Sequence, residues 1–222
     1  MHRPLLLPHL KLATAMEVKI MPNPAPTDVP LNELVRNRWS PRAFAHKSVA
    51  PEVLRSLFEA ARWAPSSSNE QPWAYLLAMR NDPDNFTKML SILVEFNAGW
   101  AKHAAVLVLS VAHLKMQKDG AANRHALHDV GSASGQLTVE ANSRGLFVHQ
   151  MAGFDVAKAH QVLAIPQDWD PVAAMAIGYP GDPASLPERL RDRELAPRTR
   201  KPLSEFVMTG GWGHAAPLVS NA

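Results

Sequence analysis

The chain has 222 residues, 23 Lys+Arg against 20 Asp+Glu, no cysteine and 46% hydrophobic residues, which suits one globular domain of ordinary to large size or at most two small ones. The lack of cysteine excludes a disulfide framework, a thiolate zinc site, a cysteine nucleophile and a dithiol redox pair, so redox chemistry would need an imported cofactor. A net charge of +3 is too weak to argue for nucleic acid as the main partner, and no apolar run approaches the roughly 18 to 20 residues of a membrane span.

Prolines are unevenly placed: eleven lie between Pro4 and Pro83, eight between Pro166 and Pro217, and none between those groups. Near the start, Pro4 and Pro8 bracket Leu5-Leu6-Leu7 and leave it too short for a signal segment, so the chain is read as soluble, unexported and cytoplasmic. Residues 1 to 30 end in MPNPAPTDVP, where alternating prolines favour extended backbone with little to bury; this is read as an arm, with Met16 or Met21 as an alternative start. Residues 31 to 222 form the expected domain.

From Leu31 the run LNELVRNRW has the spacing of a short helix that Ser40-Pro41 should end. Pro51 and Glu52 open an amphipathic helix through PEVLRSLFEAARWA, followed by a serine-rich turn and a strand over WAYLLAMR. The spacing predicts one helix from DPDNFTK to EFNAGW, then a strand buried on both faces over 104–112. A long central helix is expected over 124–144, with small residues around GSASG that would let another backbone approach, ended by Gly145. LFVHQM is read as a strand, DVAKAHQVLA as a helix and PVAAMAIGYP as a last buried strand. Beyond Gly181 the chain turns polar and no further element is predicted.

Three enzyme signatures fail. GSASG has Ala133 where a nucleophile elbow has serine, and it sits inside a helical pattern. No G-x-G-x-x-G or Walker sequence is present, which argues against a Rossmann glycine loop. His125, His128 and Asp129 share a helix face, but without further ligands they are read as a polar face and not a metal site.

Arg38-Trp39-Ser40-Pro41-Arg42 is more informative, because two guanidinium groups and a hydroxyl alternating along extended backbone can converge on one anion. Arg198-Thr199-Arg200 repeats the alternation near the other end of the chain. Together they could clamp a phosphate monoester, whose charge approaches −2. Between helix and strand, Ser66-Ser67-Ser68-Asn69-Glu70-Gln71 crowds hydroxyls and amides that suit a polyhydroxyl chain or a heteroaromatic edge.

These residues resemble the nitroreductase family of FMN-dependent oxidoreductases. The resemblance is carried by Arg38-x-Ser40-x-Arg42-x-Phe44, by Pro65-Ser66-Ser67-Ser68-Asn69-x-Gln71-Pro72-Trp73, by His149-Gln150-Met151-Ala152-Gly153-Phe154-Asp155 and by Arg198-Thr199-Arg200-Lys201-Pro202-Leu203. They occur in the family's order, over roughly residues 31 to 213. The resemblance implies an α+β fold with a mainly antiparallel sheet flanked by helices, an intertwined homodimer with flavin at its interface, and no catalytic side chain or metal. Arg38 and Ser40 would hold the FMN phosphate with Arg198 and Arg200, Trp39 would be a further cofactor contact, and Arg42 would lie at the pyrimidine edge of the flavin. Ser66, Ser67, Ser68, Asn69 and Gln71 would line the ribityl chain and ring, partly from the second subunit. A backbone N–H near Met151, Ala152 and Gly153 would face flavin N5, with glycine permitting the close approach, and Asn97 aligns with a further flavin or substrate contact of some members. The activity implied is hydride transfer from NAD(P)H through FMN to a nitroaromatic or quinone. Other outcomes at the same site, such as dehalogenation, flavin breakdown or enoyl reduction, and a non-catalytic anion-binding module, remain as alternatives. Trp39 and Pro41 are bulkier and stiffer than many family residues in that turn.

Overall fold

The computed structural model describes residues 23–219; most of the predicted arm, with Met16 and Met21, lies outside them. Four strands, β1 Trp73–Met79, β2 Val106–His113, β3 Phe147–Met151 and β4 Trp169–Gly178, form one sheet in the order β1-β2-β4-β3. Every pairing is antiparallel.

The sheet is covered on both faces because its central strands carry no polar face. Leu107, Leu109, Val111, Ala174 and Ala176 pack on one side with Phe86, Met89, Trp100 and Ala159, while Val106, Val108, Met175 and Ile177 pack on the other with Leu54, Leu57, Ala133 and Leu137. This is the period-two alternation of a strand, with apolar side chains at both phases. The register shifts at Ser110/Val111. There the buried Ser110 hydroxyl donates to the Ala173 carbonyl at 3.1 Å and accepts from its N–H at 3.2 Å, so the irregularity leaves that backbone satisfied.

Helices α1 Glu33–Asn37, α2 Pro51–Arg62, α3 Pro83–Ser91, α4 Glu95–Ala101, α5 Ala126–Ser143, α6 Val156–Leu163 and α7 Glu188–Leu195 complete the domain. The long α5 packs on α2 through Ala133, Leu137 and Ala141, while Val130 packs with Ala112 of β2. Its C-terminus closes as expected at Gly145, φ +71°, with Leu146 N–H bonded to Ala141 C=O and Gly145 N–H to Asn142 C=O.

Two predicted features differ. The single helix expected between Asp82 and Trp100 is two helices, because Ile92–Val94 leaves the helical path to bond with a distant loop. Val94 N–H donates to Gly153 C=O at 3.1 Å and Asp155 N–H to Ile92 C=O at 2.8 Å, around a bridge between Leu93 and Phe154. The polar stretch after Gly181 also contains α7, which buries only Leu190 and Glu194. An eight-residue helix with so few apolar positions leaves almost no periodic signal.

Candidate flavin site

At the C-terminal end of α1 the backbone becomes extended at Arg38 (φ −67°, ψ 126°), which aims successive side chains apart. Arg38 Nη1 lies 3.4 Å from Ser40 Oγ. Arg198 donates through Nη1 to the carbonyls of Asn23 (3.1 Å) and Arg36 (3.3 Å), which fastens the C-terminal arginine segment to the same corner. Burial, then the Arg200 charge, holds the Arg38 guanidinium below its ordinary pKa, and burial followed by Arg38 and Arg200 does the same to Arg198. Three cations therefore share one place, and among the described residues no carboxylate forms an ion pair with any of them. The donor set fits a compact dianion such as a phosphate monoester.

From this cluster the segment runs beside the edge strand β3. Trp39 packs edge-on to Phe147 at 6.4 Å, and Pro41 C=O accepts from His149 Nδ1–H at 2.9 Å. The ring of Trp39 is thus part of the core. The segment is then gripped from α7: the Glu194 carboxylate, 1% exposed, accepts the N–H groups of Arg42 (2.8 Å) and Ala43 (3.0 Å) and faces Arg42 Nη1 at 3.7 Å. Arg42 Nε is buried without a hydrogen-bond partner among the described residues. Beyond Ala43, Phe44 bridges to Pro180.

His149 sits between Pro41 and Trp100, whose ring centroid is 4.5 Å away. Burial drives its pKa down to about 4, against the Pro41 and Ser40 backbone and with help from the Arg42 charge. The folded protein therefore keeps this imidazole neutral, with Nδ1 as donor. Between pH 6.5 and 4 the unfolded chain takes up a proton that the folded chain refuses, so this residue lowers stability as pH falls through that window and not above it. In urea unfolding, the wild type should lose stability relative to His149→Asn on going from pH 7.5 to pH 4.5; an equal difference at both values would refute the assignment.

Further along the same edge, Asn97 Nδ2 donates to Gly153 C=O at 3.0 Å, so these two predicted residues are brought together. The reason for glycine at 153 differs from expectation. A Cβ there would stand 2.5 Å from Asn97 Nδ2 and 3.0 Å from Val94 Cγ2, so the space is claimed by the protein's own side chains. Gly153→Ala should destabilise the fold by about 1–3 kcal/mol through overpacking. In an Asn97→Ala background most of that penalty should vanish in a double-mutant cycle, and an unchanged penalty would show that the contact is not the cause. Met151 is buried and Ala152 exposed at the same strand end.

The serine-rich loop lies elsewhere. Ser68, Asn69 and Gln71 all adopt positive φ (52°, 56° and 49°), an uncommon concentration for non-glycine residues. The loop is held by Asp129, whose buried carboxylate accepts Ser67 N–H at 3.0 Å, by Ser66 Oγ accepting Gln71 N–H at 3.0 Å, and by Gln117, which donates twice to Glu70. Asp129, read from sequence as part of a polar helix face, is a loop anchor. It sits in the first turn of α5, whereas Asn142 in the last turn donates to Leu34 C=O of α1. Thirteen residues of helix separate them, about 20 Å. One chain thus brings Arg38, Ser40, Arg198 and Arg200 to one corner near the last turn of α5, with Arg42 following beside β3 and the Asn97–Gly153 pair beyond the far end of that strand, and holds Ser66 to Gln71 at the first turn of α5. Sequence reasoning missed Glu194 and the Glu70–Gln117 pair, whose partners are 152 and 47 residues away.

An α+β domain with both faces of an antiparallel sheet covered, and an arginine-rich corner joined to a strand edge, defines the class of protein. The nitroreductase family model matches residues 35–179, and the chain belongs to the nitroreductase family of oxidoreductases. A solved oxidoreductase containing FMN is 32% identical with a TM-score of 0.81, over 86% of this chain and 96% of that one. An uncharacterised 15.4 kDa protein of Mycolicibacterium smegmatis is 37% identical over 131 residues, 59% of this chain and 86% of that protein. A nitrobenzene nitroreductase of Ectopseudomonas oleovorans is 42% identical over 48 residues, 22% of this chain and 21% of its own. Among the described residues no helix is long and apolar enough to cross a membrane.

Proposed function

We propose that the protein is a homodimeric FMN-dependent oxidoreductase that oxidises NAD(P)H and reduces an electron-poor acceptor, a nitroaromatic or quinone. The observation that carries this reading is the cluster of Arg38, Arg198 and Arg200, which among the described residues has no carboxylate partner and is continued along β3 by Arg42, whose buried Nε has no hydrogen-bond partner among them either. The similarity to an FMN-containing oxidoreductase supports the identity of the phosphate-bearing ligand. When bound, FMN supplies the redox chemistry, accepting hydride from NAD(P)H at N5 and passing it to the acceptor.

The chain's residues bind and orient. Arg38, Arg198, Arg200 and Ser40 hold the phosphate, and Arg42 presents a fixed cation to the end of the ring where negative charge accumulates on reduction. Asn97 holds the Gly153 carbonyl, and the backbone of 152–153 would lie against the redox-active ring. Ser66, Ser67, Ser68, Asn69 and Gln71 reach the flavin from the second subunit. That assignment is supported by their distance from the arginine cluster within one chain, since a two-fold axis reversing α5 against its copy carries one chain's first turn toward the other's last. An exposed stripe of Leu127, Gly131, Gly135 and Val139 along α5 suits such packing.

The test is direct. Purified protein should be yellow or take up FMN on reconstitution, bleach anaerobically with NADH or NADPH, and reoxidise with nitrobenzene or a quinone. Colourless protein that takes up no FMN would overturn the proposal.

A further inference from the structure

Glu194 is a buried carboxylate from a helix that carries no family motif, yet it is bonded to the C-terminal end of the arginine segment. Its oxygens accept from the N–H groups of Arg42, at 2.8 and 3.0 Å, and of Ala43, at 3.0 Å. The carboxylate also faces Arg42 Nη1 at 3.7 Å, with its own side chain fully buried and that of Arg42 22% exposed. The contact is longer than a charge-assisted hydrogen bond, so the guanidinium is partly neutralised without being fully engaged. Arg42 Nε remains buried and, among the described residues, without a hydrogen-bond partner. Asn23 donates to the backbone carbonyls of Glu194 and Ala196, which fixes this end of α7.

We infer that Glu194 is a positioning residue that sets how much of the Arg42 charge reaches the bound flavin. The inference rests on the proposed FMN site. A lone buried guanidinium beside the flavin would favour its reduced, more negative form strongly; a carboxylate on the far side of the same guanidinium offsets part of that field. Glu194 thereby holds the flavin at a lower potential, a better donor to the acceptor, while its two backbone contacts keep the arginine segment in register.

The two roles separate in Glu194→Gln, whose amide oxygen can still accept from both backbone N–H groups but carries no charge. Spectroelectrochemical titration of the FMN-loaded variant should show the oxidised–reduced equilibrium moved about tenfold toward reduced flavin, about 30 mV upward for a two-electron couple. Glu194→Asp, which retracts the charge from Arg42, should move it the same way by less, and serves if the Gln variant does not fold. In an Arg42→Met background the Glu194→Gln shift should disappear. A purely structural role would weaken FMN retention without moving the potential. An unshifted or lowered potential in either folded, FMN-loaded variant, or a shift that persists without Arg42, would overturn the inference; wild-type protein that binds no FMN would instead overturn the functional reading beneath it.

Discussion

Arg38→Ala and Arg200→Ala should each weaken FMN binding by about 1.5–3 kcal/mol, about ten- to a hundredfold in Kd, while leaving the FMN-free protein as stable as the wild type or more so. The first half follows from losing a charge-assisted contact to phosphate. The second follows from the ligand-free cluster itself: burial and then Arg200 depress the Arg38 guanidinium, and burial, Arg38 and Arg200 depress that of Arg198. Removing one member relieves repulsion that only an anion otherwise offsets. Arg198→Ala should behave differently, because its guanidinium also ties Asn23 and Arg36 carbonyls together, and both FMN affinity and ligand-free stability should fall. FMN titration beside thermal unfolding of the FMN-free forms separates these outcomes. Parallel losses of affinity and stability in Arg38→Ala or Arg200→Ala would show that the arginines brace the fold and do not serve as an anion clamp. Raised salt should weaken wild-type binding, since much of the attraction is between charges at the surface.

The parts of the fold that were legible in sequence are those whose reasons are local. Pro51 and the spacing of Leu54, Leu57 and Ala61 specify α2, and Gly145 ends α5 because only a glycine takes a positive φ there without strain. The continuous apolar run from Ala104 to Ala112 reads as a strand covered twice, and Val106 to Ala112 is buried throughout. What stayed hidden depends on bonds between distant residues. Ile92–Val94 has helical spacing but is drawn into pairing with Gly153–Asp155. Glu194 looks like one charge among several in ERLRDREL, and its meaning comes from backbone N–H groups of Arg42 and Ala43. The proposed ligand residues were recognisable as a set because motif order survives in sequence, but order says nothing of which chain supplies each. Asp129 at one end of α5 and Asn142 at the other show that the serine loop and the arginine segment lie apart within one chain.

If the proposed dimer packs along this face of α5, Gly135→Arg should leave the chain folded, convert that dimer to monomer and abolish FMN retention. Within one chain the substitution is tolerated: a Cβ at Gly135 meets nothing within 4 Å, the position is exposed, and arginine is a better helix former than glycine by roughly 0.5–1 kcal/mol. In a dimer packed along Leu127, Gly131, Gly135 and Val139, the same side chain would force the two helices apart and bury an unpaired charge, a penalty of several kcal/mol. Loss of FMN follows because the arginine clamp and the serine loop lie at opposite ends of α5, so the monomer keeps the phosphate contacts and loses those from Ser66 to Gln71. Size-exclusion chromatography with light scattering, far-ultraviolet circular dichroism and the flavin absorbance of the purified variant read the three parts separately. A dimeric, yellow Gly135→Arg protein would place the interface off this stripe. A monomer that still holds FMN with wild-type affinity would show that one chain completes the site alone, against the 20 Å separation of its two halves along the helix.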